Sequence, residues 1–326
     1  MKVLSLVAIG SLMSVMIGMA DTQAATPQNW PGRPIKLIVP FPAGGGPERT
    51  IRTISQGLQE RLGQPVIIDY RPGASGNIGA ADLAKANPDG YTWMLAQDSL
   101  FTINPLIFES LGFDINAIQP VSMYGNFVNV LVCNPSLNVT SLEGLIEKAK
   151  AGPGEIYYAS SGAGSPGHLV TEMLSSRAGI KMSHVPYRGP MPAVQDLLGG
   201  HVDCGFLASP SVVEHVKAGR MVALGSSGAE PLESLEGLPT IDSQGFPGFD
   251  ATFWTGFYTS TGVDKEITDR FGAALYEVLK EEAVLDAMEF SDMKPRWTTQ
   301  EETQEIIENL LNQWSVVVQQ VGLKVE

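Results

Sequence analysis

Residues suited to chemistry gather in three glycine-rich stretches: Pro42-Ala-Gly-Gly-Gly-Pro47, Gly73-Ala-Ser-Gly-Asn-Ile-Gly79 and Gly162-Ala-Gly-Ser-Pro-Gly167. The third matches G-x-G-x-x-G, the turn that seats a dinucleotide. That chemistry also needs an acid at the end of the next strand, to hold a ribose hydroxyl. Here that strand ends Val185-Pro-Tyr-Arg188, so no nucleotide cofactor is predicted. The same stretch is close to the elbow that presents a hydrolase nucleophile, with Ser165 in that place. The next residue must then donate its backbone N–H to the oxyanion, and Pro166 has none. His168 stands three residues on, too local for the usual triad. No catalytic residue is assigned and no enzyme is expected.

What the turns at 42–47 and 162–167 share is a strand, then small residues, then the start of a helix. Free N–H groups and the helix dipole make such ends receptors for anions. Two of them facing one cleft would suit a ligand with a carboxylate at each end; alternatively, the glycines only shorten the turns. Arg188 follows a strand within a turn, where its guanidinium could grip a carboxylate or form a surface ion pair. Ser99, Thr102, Ser160 and Ser161 fall near strand ends, as hydrogen-bond donors or helix caps. The four histidines, 168, 184, 201 and 215, form no H-E-x-x-H or comparable pair, so no metal site is predicted. His184 and His201 read as structural or surface residues. Cys133 and Cys204 fall in predicted strands, and whether they pair stays open.

The elements that must position these residues alternate. Residues 35–40, 66–70 and 91–96 read as strands, with helices at 48–62 and from the 73–79 turn to Lys85. This is the βαβαβ pattern of a parallel sheet. Strands at 129–133, 156–160, 184–187, 202–206 and 222–225 follow, with helices at 142–150, 168–177 and 193–198. The strand–glycine-turn–helix unit of 35–62 thus returns at 156–177. Two α/β lobes with a hinge and an interlobe cleft are expected. Lobe 1 comprises 27–124 plus 226–326 and lobe 2 comprises 125–225. The tail from Lys265 to Val321 reads as mostly helical.

The chain of 326 residues has 21 Lys+Arg against 35 Asp+Glu, a formal charge of −14. It has no basic run, which excludes a nucleic-acid partner of the usual kind. Lys2 precedes an apolar run from Val3 to Ala20, with Gly18 and Ala20 at the small positions of a cleavage site. Residues 1–20 therefore read as a signal peptide, and the mature protein as periplasmic.

Several motifs recur in order: Pro34-Ile-Lys-Leu-Ile-Val-Pro-Phe-Pro-Ala-Gly-Gly-Gly46, Leu62-Gly-Gln-Pro-Val66, Arg71-Pro-Gly-Ala-Ser-Gly-Asn-Ile-Gly79, Pro88-Asp-Gly-Tyr91, Ser160-Ser-Gly-Ala-Gly-Ser-Pro-Gly-His168 and Val185-Pro-Tyr-Arg-Gly189. As a set they resemble the substrate-binding proteins of tripartite tricarboxylate transporters, the Bug family of periplasmic receptors. The resemblance implies a two-lobed, type II periplasmic-binding-protein fold. It implies a small carboxylate held by backbone amides, hydroxyls and bridging water, and membrane permease subunits as partners. By matching motif, Phe41, Ala43, Gly44 and Gly45 would form the first-lobe loop. Ser161, Gly162, Ser165 and His168 would form the second, with Arg188 and Gly189 after the next strand. Ser99 joins them from its place at a strand end. The family loop usually carries Thr-Asp after its glycines; here it is Pro47-Glu48. Residues 206–210 also lack the acid common there, which favours a dicarboxylate or an aromatic carboxylate over an amino acid. A monomeric transport receptor is the leading reading. A sensory receptor of the same fold and a serine hydrolase are the alternatives.

Overall fold

The computed structural model describes residues 29–44 and 46–324. The predicted signal peptide at 1–20 and Gly45 lie outside the described residues. Ten strands among the described residues form one curled, mixed sheet: β1 (Ile35–Val39), β2 (Val66–Tyr70), β3 (Thr92–Gln97), β4 (Ile118–Cys133), β5 (Tyr157–Ser160), β6 (Ser183–Pro186), β7 (Cys204–Ala208), β8 (Val222–Ser226), β9 (Thr252–Ser260) and β10 (Lys294–Pro295). Their order is β2-β1-β3-β9-β4-β7-β5-β6, with β8 and β10 also paired to β4.

The expected parallel units are present at the two ends: β2-β1-β3 on one side and β7-β5-β6 on the other. The middle is antiparallel. β9 runs against both β3 and β4, and β7 and β8 run against β4. Here the sequence reading fell short. It placed a strand only at 129–133 and none at 252–260, whereas β4 begins at Ile118 and β9 spans nine residues. Both strands are buried on almost every residue. An apolar run of that kind shows no period-2 alternation by which to recognise a strand.

β4 joins the two halves of the sheet. Residues 118–128 pair with β9, and 129–133 pair with β7. Helices on both faces close the core. Trp93 of β3 stacks on Phe271 of the helix Lys265–Val278, with ring centroids 3.7 Å apart. Phe253 of β9 stacks on Trp314 of the helix Gln300–Val321. Fully buried rings of this size contribute about 1.5–3 kcal/mol each. That last helix starts with a capping box, in which Thr299 and Glu302 satisfy each other's backbone N–H groups. Leu232 and Leu235, in the segment after β8, pack with Val130, Ala193, Val194 and Val213 on the β7-β5-β6 side.

Candidate functional site

The parallel strands of both halves point their C-terminal ends at one cavity of about 450 Å³. This is where open α/β sheets place ligands, because the strand-to-helix turns converge there. Pro40 and Phe41 follow β1, Pro72 and Gly73 follow β2, and Gln97 closes β3; across from them stand Ser161, Tyr187 and Ala208, from the ends of β5, β6 and β7. The residues just before four helices also line it: Gly76 before Asn77–Ala84, Ser165 before Pro166–Ala178, Gly189 before Pro190–Leu198 and Ala208 before Ser209–Lys217. Four positive dipole ends thus face one space.

The cavity wall is mainly apolar. Phe41, Leu100, Phe108, Phe127, Phe206 and Leu207 supply its bulk. Arg188 is the one charged residue in the described wall, and it makes no ion pair with the described residues. No Asp or Glu among the described residues lines it. Two polar atoms on the wall are buried without a partner, Ser165 Oγ and Asn129 Nδ2. A buried donor left unpaired costs about 1–3 kcal/mol.

Of the residues singled out in the sequence, Phe41, Ser99, Ser161, Gly162, Ser165, Arg188 and Gly189 come together on this wall. Ala43 and Gly44 do not; both are exposed outside it. The Gly44 N–H is turned to the carboxylate of Glu48, 3.3 Å away, and Tyr70 donates to the same carboxylate. The Pro47-Glu48 departure thus gives that N–H an internal acceptor.

His168 is not on the wall either. It lies behind the second glycine turn, where its Nδ1 accepts the Gly164 N–H at 3.0 Å. Its ring stacks on His184 at 3.8 Å between centroids. His184 Nε2 sits 2.7 Å from Ser160 Oγ, which in turn donates to the Gly162 carbonyl. The two imidazoles therefore brace the turn from inside. Burial lowers both, to about 3 for His168, where His184 adds to the effect, and to about 4 for His184. Both rings are neutral at pH 7, and His168 Nδ1 must be unprotonated to accept. Among the described residues Ser165 Oγ has no hydrogen-bond partner, and His168 Nδ1 is taken by the Gly164 N–H.

Sequence reasoning did not assign Ser75, Phe127, Asn129, Tyr187 or Phe206 to the site. Ser75 belongs to a glycine-rich stretch that was noticed, and its signal was there to use. It adopts a left-handed conformation, φ 51°, held by Asn104, whose Nδ2 donates to the Ser75 carbonyl at 3.1 Å. Its hydroxyl donates across the cavity to the Ala163 carbonyl. Phe127 and Asn129 come from the unrecognised part of β4 and its junction, where no motif marks them.

The two halves touch at this mouth. A Cβ on Gly164 would lie 2.4 Å from Ile107 Cδ1 of the opposite half, and the backbone there is left-handed at φ +77°. Only glycine fits such a place. Beneath the first wall lies Asp98, fully buried between Gln97 and Ser99 of the wall. Its Oδ1 accepts the Trp254 N–H at 3.3 Å, and its Oδ2 has no partner. Burial pushes it up to about 8, so it is mostly uncharged at pH 7 and sets no strong negative field against an anion.

A curled mixed sheet with a cavity at its converging strand ends defines a periplasmic-binding-protein-like fold. Residues 50–323 match the tripartite tricarboxylate transporter family receptor, TctC, and the chain belongs to that family. Protein BugT of Bordetella pertussis is 34% identical over 328 residues, covering 100% of both chains. Among solved structures, R. palustris Rpa4515 with adipate is 31% identical, with a TM-score of 0.86 over 90% of this chain and 99% of that one. The periplasmic binding protein BugD is 25% identical, with a TM-score of 0.85 over 91% and 100%. The matched family is a receptor family, and BugD is named a periplasmic binding protein.

Proposed function

We propose that the chain is an exported, periplasmic receptor that captures a small carboxylate between two lobes and delivers it to membrane permease subunits. The observation that carries this reading is the composition of the cavity wall. One cation and four helix N-termini offer charge and N–H groups to an anion, while four phenylalanines offer an apolar body to the rest of the ligand. A dicarboxylate with an apolar middle, or an aromatic carboxylate, matches both features. An α-amino group would find no acid among the described wall residues, which disfavours amino acids. The adipate of Rpa4515 is a ligand of the favoured kind.

The lobes of this reading are 27–124 with 226–326, and 125–225. The packing of Leu232 and Leu235 with Val130 and Val213 attaches the turn after β8 to the second lobe as well. β4 is the element on which the lobes would pivot. Ligand touching both walls binds the closed form better than the open one and draws the population toward it. The hydrogen bond from Ser75 to the Ala163 carbonyl, and Pro42 lying where a Cβ added to Gly189 would meet it at 3.2 Å, support a reading in which the two walls are closed on each other. Closure would then present a joint surface to the permease.

The test is a thermal-shift series on the mature chain, stripped of bound ligand by unfolding and refolding. Linear dicarboxylates, aromatic carboxylates, a tricarboxylate and amino acids are compared. A ligand that binds only the folded state raises Tm by mass action, by about 2.7 kcal/mol in stability at a hundredfold excess over Kd. A shift confined to the first two classes is the expected result. A shift with amino acids alone, or with no carboxylate, overturns the assignment.

A further inference from the structure

The sequence put both cysteines in predicted strands and left their pairing open; the sheet brings them together. Cys133 ends β4 and Cys204 begins β7, and the antiparallel register pairs them directly. The next pair in the same register is hydrogen-bonded, Asn134 N–H to the Asp203 carbonyl at 2.9 Å. Antiparallel pairs alternate, so Cys133 and Cys204 occupy a non-hydrogen-bonded position, where side chains share a face and Cα atoms stand about 4.5 Å apart. That separation lies within the range a disulfide spans, about 4.4–6.8 Å. Both thiols are free in this structure and fully buried. The neighbouring Cys204 and burial hold the Cys133 thiol well above its ordinary value, so the folded Cys133 thiol is a poor nucleophile.

We infer that Cys133 and Cys204 are the site of an intramolecular cross-strand disulfide, formed during folding in an oxidising compartment and sealed by burial afterwards. The two thiols lose two protons and two electrons as the S–S bond forms, and a disulfide of the oxidant, protein-borne or glutathione, accepts both and leaves as two thiols. Closing a loop from 133 to 204 restricts the unfolded chain. It also fastens β4 to the strand whose far end, Ala208, lines the cavity. The compartment rests on the export proposed above; the pairing does not.

The sequence contains two cysteines, so the bond has one possible intramolecular pairing. The full chain is exported to a bacterial periplasm, denatured without reductant and treated with an alkylating agent. In parallel, reduced mature protein is refolded in a mixture of oxidised and reduced glutathione. Intact mass is expected to show no alkylation in either sample and two hydrogens fewer than the dithiol. Peptide mapping is expected to join the 133 and 204 segments. The oxidised form should melt higher than the same protein with dithiothreitol, on the order of 5 °C. A Cys133→Ala/Cys204→Ala variant should show no response to reductant. Two alkylated thiols after glutathione refolding, disulfide-linked dimers, or an oxidised form that melts no higher would each overturn the pairing. Oxidation on refolding but not on export would support the pairing and count against the compartment.

Discussion

The two walls of the cavity start from the same design, a strand, a glycine turn and a helix, and secure it by different means. The second wall is braced from behind by neutral imidazoles: His168 holds the Gly164 N–H, and His184 meets Ser160 under Gly162. Among the described residues no imidazole braces the first wall. Its β1 turn leaves Ala43 and Gly44 exposed, ties a backbone N–H to Glu48, and lies in the same half as an uncharged buried acid, Asp98. Its most constrained part is instead the 73–76 turn, held in a left-handed conformation by Asn104. The second wall's turn is therefore held by two buried imidazoles, and the first wall's turns by the Glu48 carboxylate and by Asn104. The lesson is that equal sequence motifs can carry unequal rigidity, because the shell behind a loop decides how firmly its N–H groups are aimed.

The sharpest way to break the comparison is a methyl group. A Cβ on Gly167 would fall 2.0 Å from the Phe206 carbonyl, so Gly167→Ala should cost about 3 kcal/mol in denaturant unfolding. On the first wall, Gly76→Ala meets Leu100 Cδ1 at 3.4 Å and bears only the left-handed penalty, about 1–2 kcal/mol. Equal losses at the two sites would contradict the difference in packing.

Arg188→Ala should weaken carboxylate binding roughly 10- to 100-fold by calorimetry while leaving Tm of the unliganded protein nearly unchanged, since a charge-assisted hydrogen bond contributes about 1.5–3 kcal/mol. Unchanged affinity would remove Arg188 from the site.

Stability against pH separates the walls by sign. His168 and His184 are lowered on folding, so their contribution is present above about 6.5 and is lost as pH falls toward 4 and 3. Asp98 is raised, so its contribution is full below about 4 and is lost as pH rises through 8. The three together place a stability maximum near pH 6.5, and the largest slope from one buried group is about 1.4 kcal/mol per pH unit. Asp98→Asn should flatten the alkaline side. His168→Asn should reduce the acid loss while keeping an acceptor for Gly164. Urea melts across pH 4 to 9 report both.

The smallest effect is expected at the contact between the walls. Ser75→Ala removes the hydroxyl bond to Ala163 and should weaken binding about threefold, from roughly 0.5–1.5 kcal/mol for one neutral hydrogen bond. A slower association rate, rather than faster release, would place its role outside the closed form.

Much of the fold was legible because its signals are local. The turns at 42–47, 73–79 and 162–167, and the parallel units flanking them, announce themselves through glycine, proline and apolar runs. Phe41, Ser161, Gly162, Ser165, Arg188 and Gly189 reach the cavity because they sit just past strand ends, a place that local pattern reveals. β9 and the first part of β4 were not legible, since strands buried on both faces lack alternation. Phe127 shared that fate, while Asn129 lay at the start of the recognised strand 129–133 with no motif to mark it for the site. His168 was read toward the ligand for its position in a motif, and it turned inward because the helix Pro166–Ala178 packs that face against β5 and β7.

By itself the sequence determined the α/β class, the glycine turns at strand ends, the absence of an acid in the 185–189 turn, and a charge balance unsuited to nucleic acid. These are properties of residue type and short spacing, set by backbone conformation and helix dipoles. Only the tertiary structure decided which N–H groups face one space, that Glu48 captures the Gly44 amide, that two histidines brace the second wall, and that Cys133 stands opposite Cys204. Those depend on strand order and register between segments far apart in the chain. No local propensity carries that information, because it is settled by which buried surfaces pack together.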